Sequence, residues 1–160
     1  MPVAEKTRIQ TKFAREPFAS FFEEAKPLLV QHFEEISAFQ DIPLDPNIER
    51  YLEMDGEGLL RIYTARQDGL LIGYAVFCMA YNLHYRSSLQ AHQDVLFVHP
   101  SFRNFRNAYR LIKHTEIALR EEGVQIVTHH SKLAHPALHA ILHLMGYVDL
   151  DITQGKRLDL

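Results

Sequence analysis

Apolar residues recur along the chain with two different periods, and the switches between them mark out the elements. Ile9, Thr11 and Phe13 alternate with polar neighbours and predict a short first strand. Pro17 suits a first helical position, and from there Phe18, Phe21, Phe22, Ala25, Leu29, Phe33 and Ile36 recur at three- and four-residue steps. This predicts an amphipathic helix that Pro27, which lacks an amide donor, kinks or splits. Pro43 and Pro46 mark a connection. Asp45 then caps a short helix from Pro46 towards Met54, which Gly56 and Gly58 end.

The period next falls to two. Leu60, Ile62 and Thr64 alternate with Arg61, Tyr63 and Ala65, and Gln67-Asp68-Gly69 turns the chain into the apolar run Leu70 to Tyr81. Asn82 to Ser88 is a polar turn, and Leu89 to Val98 is a further strand that stops at His99-Pro100. Helical spacing returns from Phe105 with Ala108, Leu111, Ile112, Thr115 and Ala118, and Gly123 is its stop. Val124 to Thr128 predicts a strand. Pro136 opens a last helix with Ala137, Leu138, Ile141, Leu142 and Met145 on its apolar side, Gly146 closes it, and Tyr147 to Leu158 supplies terminal strand material. A meander followed by helix, strand, helix and strand describes one α/β (α+β) domain over residues 1–160. Its single mixed, mostly antiparallel twisted sheet is expected to hold about six to seven strands, with helices on both faces.

A length of 160 residues suits one hydrophobic core without metal or disulfide staples. The formal charge of -3 argues against general nucleic-acid binding, which needs a surplus of Lys and Arg. With one cysteine, Cys78, no disulfide can form within the chain, and its apolar surroundings predict a buried, inert thiol. No apolar run approaches the roughly 20 residues that cross a bilayer, and Met1 to Gln10 lacks the apolar stretch of a signal peptide. The expectation is a cytoplasmic protein that does not engage membranes.

The chemistry concentrates in Asp94 to Ala108, where a strand feeds through a polar loop into an amphipathic helix. Free amides and the positive dipole end of such a helix can hold a pyrophosphate, with Arg103, Arg106 and Arg110 adding charge. A solvated basic helix start is the plainer reading of the same residues.

This segment resembles the central signature of the GNAT superfamily of N-acetyltransferases: a strand, a proline, an Arg or Gln, and a glycine-rich turn into the helix that binds pantetheine and pyrophosphate. The resemblance covers roughly residues 60–158 in element order, including Leu144-Met145-Gly146-Tyr147 near the end of the last helix. The tract Gly73 to Pro100, with Asn82 to Ser88 in it, looks most like members encoded by tailed phages and prophages. By position, Arg103 matches the residue that opens the phosphate loop, and Ala108 matches its last small residue. Asn104, Phe105 and Asn107 lie between them. Asn104 stands where glycine often follows, and asparagine tolerates a left-handed backbone. Arg106 departs from the pattern, because it occupies the middle glycine position: its side chain either obstructs the pyrophosphate or pairs with it.

The resemblance implies acetyl-CoA as co-substrate and direct acetyl transfer to an amine. It leaves open whether the acceptor is a small molecule or a protein, and whether the chain forms a homodimer. Leu96, Phe97 and Val98 become the backbone partners of pantetheine and of the thioester carbonyl. Asp94, which simple alternation places on one face with Leu96 and Val98, becomes the candidate general base. An aspartate satisfied within its strand is the competing reading. The family's tyrosine acid is replaced by Leu142, so His135 becomes the candidate for returning a proton to the leaving sulfur, against the alternative of a helix-capping histidine. A degenerate domain that keeps the fold and works as a binding module is the rival function.

Five of the ten histidines, at positions 129, 130, 135, 139 and 143, fall in the last third. His135, His139 and His143 follow a four-residue step, but the first and last are eight residues apart, about 12 Å along a helix, so the three cannot share one ion. This leaves a two-histidine site completed by His129 or His130 as the alternative, without a Glu between them or a cysteine pair. No metal site is expected.

Overall fold

The computed structural model describes residues 10–159, so Ile9 lies outside the described residues. The chain groups into two compact units that divide after His130.

The first unit is built on one sheet of five strands in the order β1 (Thr11–Arg15), β2 (Leu60–Gln67), β3 (Leu70–Tyr81), β4 (Leu89–Val98), β5 (Ile126–Thr128). The first four form an antiparallel meander, and β5 joins β4 in parallel. Five strands among the described residues replace the expected six to seven. Residues 147–159 form no strand, although Val148, Leu150 and Ile152 alternate with polar residues. Alternation makes a segment fit for a sheet, but a strand forms only where its backbone finds ladder partners.

The β2–β3 hairpin follows its turn residues. Asp68 (φ 50°) and Gly69 (φ 83°) both take left-handed backbone, which a two-residue turn matched to the twist of its strands requires. Helix α1 (Phe18–Ile36) begins one residue after Pro17 and continues through Pro27 rather than splitting there. Its first amide is capped from a distance, donating to Asp55 Oδ2 at 2.8 Å. Asp55 belongs to α2 (Ile48–Gly56), which Asn47 caps instead of Asp45, accepting from the Arg50 amide. Helix α3 (Phe105–Glu121) stops before Gly123, at φ 85°.

Two apolar clusters cover the two faces of the sheet. Phe18, Phe21, Phe22 and Ala25 of α1 pack with Leu60, Ile62, Tyr74, Val76 and Phe97, and Ile48, Tyr51 and Met54 of α2 join them. Leu111 and Leu119 of α3 pack with Tyr63, Ile72, Ala75, Phe77, Ala91 and Val98 on the other face. Gly73 allows β3 and β4 to approach where this core meets the end of β4. A Cβ there would stand 2.8 Å from the Phe97 carbonyl oxygen, a backbone atom that cannot swing aside. Gly73→Ala is therefore expected to cost about 1–3 kcal/mol in urea unfolding, the usual scale of overpacking.

In the second unit, α4 (Ala137–Leu144) ends at Gly146, whose φ of 91° reverses the chain.

Candidate active site

The pairing of β4 with β3 runs from Gly73–Val98 to Val76–Val95, then resumes at Phe77–Gln93. Asp94 is thus the extra residue of a β-bulge, which breaks the period of two. Val95 and Phe97 pack under α1 and α2, while Leu96 and Val98 face the cluster under α3. Asp94 meets α2: the Tyr51 hydroxyl donates to its Oδ2 at 2.6 Å. The bulge therefore corrects the expectation that Asp94 shares a face with Leu96 and Val98.

On its other edge β4 pairs with β5 only at Gln90, Ala91 and His92. His92 Nδ1 lies 2.8 Å from Thr128 Oγ1 at the last pair, where β5 and the ladder end. From Gln93 to Val98 that edge carries no strand among the described residues. Antiparallel bonding alternates, and the His99 amide donates to the Ile72 carbonyl at 2.8 Å. This register turns the backbone groups of Val95 and Phe97 towards β3 and those of Leu96 and Val98 to the open edge. Of the three backbone partners that the resemblance implies, Phe97 is thus the one whose amide and carbonyl face its neighbouring strand.

Helix α3 starts beside that edge in sequence. Asn104 is extended (φ −148°, ψ 163°), so the left-handed tolerance of asparagine is not what places it there. It serves as the cap, its Oδ1 accepting from the Asn107 amide at 2.9 Å, while the Asn107 side chain donates to the Phe102 carbonyl. The Ala108 amide makes the first intrahelical bond, to the Asn104 carbonyl. The amides of Phe105 and Arg106 stand ahead of it, where an anion can reach them.

The arginines differ in their engagement. Arg103 donates through Nε to the Val98 carbonyl at 3.0 Å, and its Nη2 pairs with Glu35 at 2.8 Å. Arg110 lies over the Phe13 ring. Arg106 is exposed and forms no ion pair among the described residues. Together with Asn104, Asn107, Gln10, Thr11 and Gln67, Arg106 and Arg110 line a depression of about 570 Å³. Its lining comes from the start of β1, the end of β2 and the start of α3, and not from β4, and its two arginines suit an anion.

Around Asp94 the neighbours stay protonated. Burial and then the hydrogen bond to Asp94 push the Tyr51 hydroxyl up, which keeps it a donor. Burial, reinforced by the Asp94 charge, does the same to the Tyr74 hydroxyl, which is buried without a hydrogen-bond partner. The Cys78 thiol, half-buried rather than buried as expected, is raised by burial and then by Asp94, which favours the protonated form. Tyr51 and Tyr74 are absent from the reading of the sequence. The available signal was that a tyrosine on an apolar helix face needs a partner for its hydroxyl, as an aspartate in an apolar strand needs a donor. His135 lies in the second unit, ahead of α4, with its amide donating to the Lys132 carbonyl.

His129, which follows β5, donates from Nδ1 to Gln93 Oε1 at 2.6 Å and stands edge-on to Phe77. Burial, and secondarily the neighbouring His130, bring its pKa down to about 4. Because the folded value lies below the usual 6.5, the unfolded chain binds the proton more readily. The stability contribution is whole above pH 6.5 and is lost as pH falls from there towards 4. Between pH 7 and pH 5 the wild type should lose about 2 kcal/mol more than His129→Gln in urea unfolding.

The fold is that of known acetyltransferases. An aminoglycoside acetyltransferase, meta-AAC0020, from an uncultured soil metagenomic sample in complex with sisomicin superposes with a TM-score of 0.73 at 13% identity, over 93% of this chain and 97% of that one. A ribosomal-protein-alanine N-acetyltransferase from Brucella melitensis biovar Abortus 2308 gives 0.71 at 15% identity, over 93% and 99%. The aminoglycoside N-acetyltransferase AAC(6')-Iy in complex with CoA gives 0.67 at 19% identity, over 95% and 97%. No curated protein matches in sequence. The model of the acetyltransferase (GNAT) family matches residues 18–147, and the chain belongs to that family. Among the described residues no helix is long and apolar enough to cross a membrane.

Proposed function

We propose that the chain transfers the acetyl group of acetyl-CoA directly to an amine, with Asp94 as the general base. The observation that carries this reading is the end of the β4–β5 ladder at His92, beside the bulge: one unpaired backbone edge and one carboxylate lie within a few residues of each other. The outward amide and carbonyl of Leu96 and the outward amide of Val98, whose carbonyl Arg103 already occupies, bind the pantetheine arm and polarise the thioester carbonyl. The amides of Phe105 and Arg106 take the pyrophosphate, and the Arg106 and Arg110 side chains supply the charge that Arg103 spends on Glu35. Asp94, oriented by Tyr51, takes a proton from the ammonium form of the acceptor. The free amine attacks the carbonyl carbon, the C–S bond breaks, the nitrogen gives up its second proton to water, and the thiolate takes up a proton, for which His135 is the candidate donor.

The acceptor is an amine of a small molecule or a protein. The degenerate binding module is the second reading, supported by Leu142 in place of a tyrosine. Acetyl-CoA at concentrations up to millimolar is expected to raise the melting temperature, because a ligand of the native state stabilises it by mass action. A screen of small-molecule and peptide amines should then release free thiol. No thermal shift rejects the co-substrate, whereas a shift without thiol release from any amine favours the module.

A further inference from the structure

Within the second unit, the chain reversal at Gly146 brings together three side chains for which the transferase reading has no use. His139 and His143 stand one turn apart on α4, with ring centroids 4.3 Å apart. Each Nε2 lies 3.0 Å from the same oxygen, Asp149 Oδ1. One donor atom from each of the three residues lies within 4.8 Å of the others. All three side chains are open to solvent, so an ion can enter without unfolding anything.

We propose that His139 Nε2, His143 Nε2 and the Asp149 carboxylate bind a divalent transition metal, zinc by preference, with water at the fourth position. Two imidazoles and one carboxylate form a nitrogen-rich set that suits zinc, whereas calcium and magnesium need more oxygens. A tetrahedral ion with bonds of about 2.1 Å holds its donors about 3.4 Å apart. The two 3.0 Å separations need to open by a few tenths of an ångström, and the two imidazole nitrogens, which lie within 4.8 Å of each other, need to settle at the same spacing. The ion would replace two shared hydrogen bonds by a staple from α4 to the segment after Gly146. The histidines alone gave no such site, because the third ligand comes from beyond the helix, six residues after His143.

The test uses the full chain without a histidine tag, stripped with a chelator, and titrated with zinc against a chromophoric competitor. One equivalent should bind at micromolar or lower concentration. His139→Ala and Asp149→Ala should each weaken it by about tenfold or more, and His84→Ala, in the exposed turn before β4, should not. Cobalt(II) should give the intense visible bands of a four-coordinate ion in the wild type and lose them in His143→Ala. Zinc affinity unchanged in the His139 and Asp149 variants, or no stoichiometric binding up to 100 micromolar (on the order of the weakest useful site), overturns the proposal. Because neither readout involves acetyl transfer, failure here leaves the transferase reading untouched, and failure of that reading leaves this one standing.

Discussion

Asp94→Asn is expected to lower acetyl transfer by about 10²-fold or more at neutral pH while leaving the acetyl-CoA dissociation constant nearly unchanged. Asparagine keeps the shape and can still accept the Tyr51 hydrogen bond, which holds the native side chain at 2.6 Å. What it loses is the capacity to take a proton. An alkyl amine with a pKa near 10.4 is almost wholly protonated at pH 7, so the loss falls on the supply of nucleophile. Raising the pH supplies free amine from solution, and the deficit of the variant should shrink accordingly. Equal turnover of variant and wild type at neutral pH would reject Asp94 as base and direct attention to water, His92 or His135.

Arg106→Glu should raise the dissociation constant of CoA by roughly tenfold to a hundredfold, the scale of exchanging a charge-assisted hydrogen bond for a repulsion. A glutamate in the first turn of α3 favours the helix, so the fold should survive the change. Arg103→Ala should cost less, since Glu35 and the Val98 carbonyl already occupy that guanidinium. Isothermal calorimetry with CoA measures both. Weaker binding in Arg106→Ala supports pairing with phosphate, and tighter binding in Arg106→Gly would show instead that the side chain obstructs the loop.

Local chemistry made much of the fold legible. Gln67-Asp68-Gly69 carried the hairpin in three residues, because only a few side chains accept the backbone that such a turn demands. The apolar stripes from Phe18 and from Ala108 located α1 and α3, and the strand-to-helix tract from Asp94 to Ala108 placed the candidate site. The bulge was illegible, since an extra residue between Gln93 and Val95 leaves composition and alternation plausible while turning Asp94 to the other face. Contacts between distant residues were equally hidden. Asp55 capping α1, Glu35 holding Arg103 and Tyr51 meeting Asp94 join positions 37, 68 and 43 residues apart, and no local period records them. The exposed alternation of Val148, Leu150 and Ile152 shows the converse error, in which a sound local pattern forms no ladder.

The central claim is that acetyl-CoA lies along the open edge of β4 and the first turn of α3. Amide hydrogen exchange with and without acetyl-CoA tests it residue by residue. The amides of Leu96 and Val98 face no strand, and those of Phe105 and Arg106 precede the first intrahelical bond, so all four should exchange readily in the free protein. Saturating acetyl-CoA is expected to slow these four while leaving the β1–β2 ladder little changed. Protection confined to other segments, or no protection at all at saturation, would contradict the account.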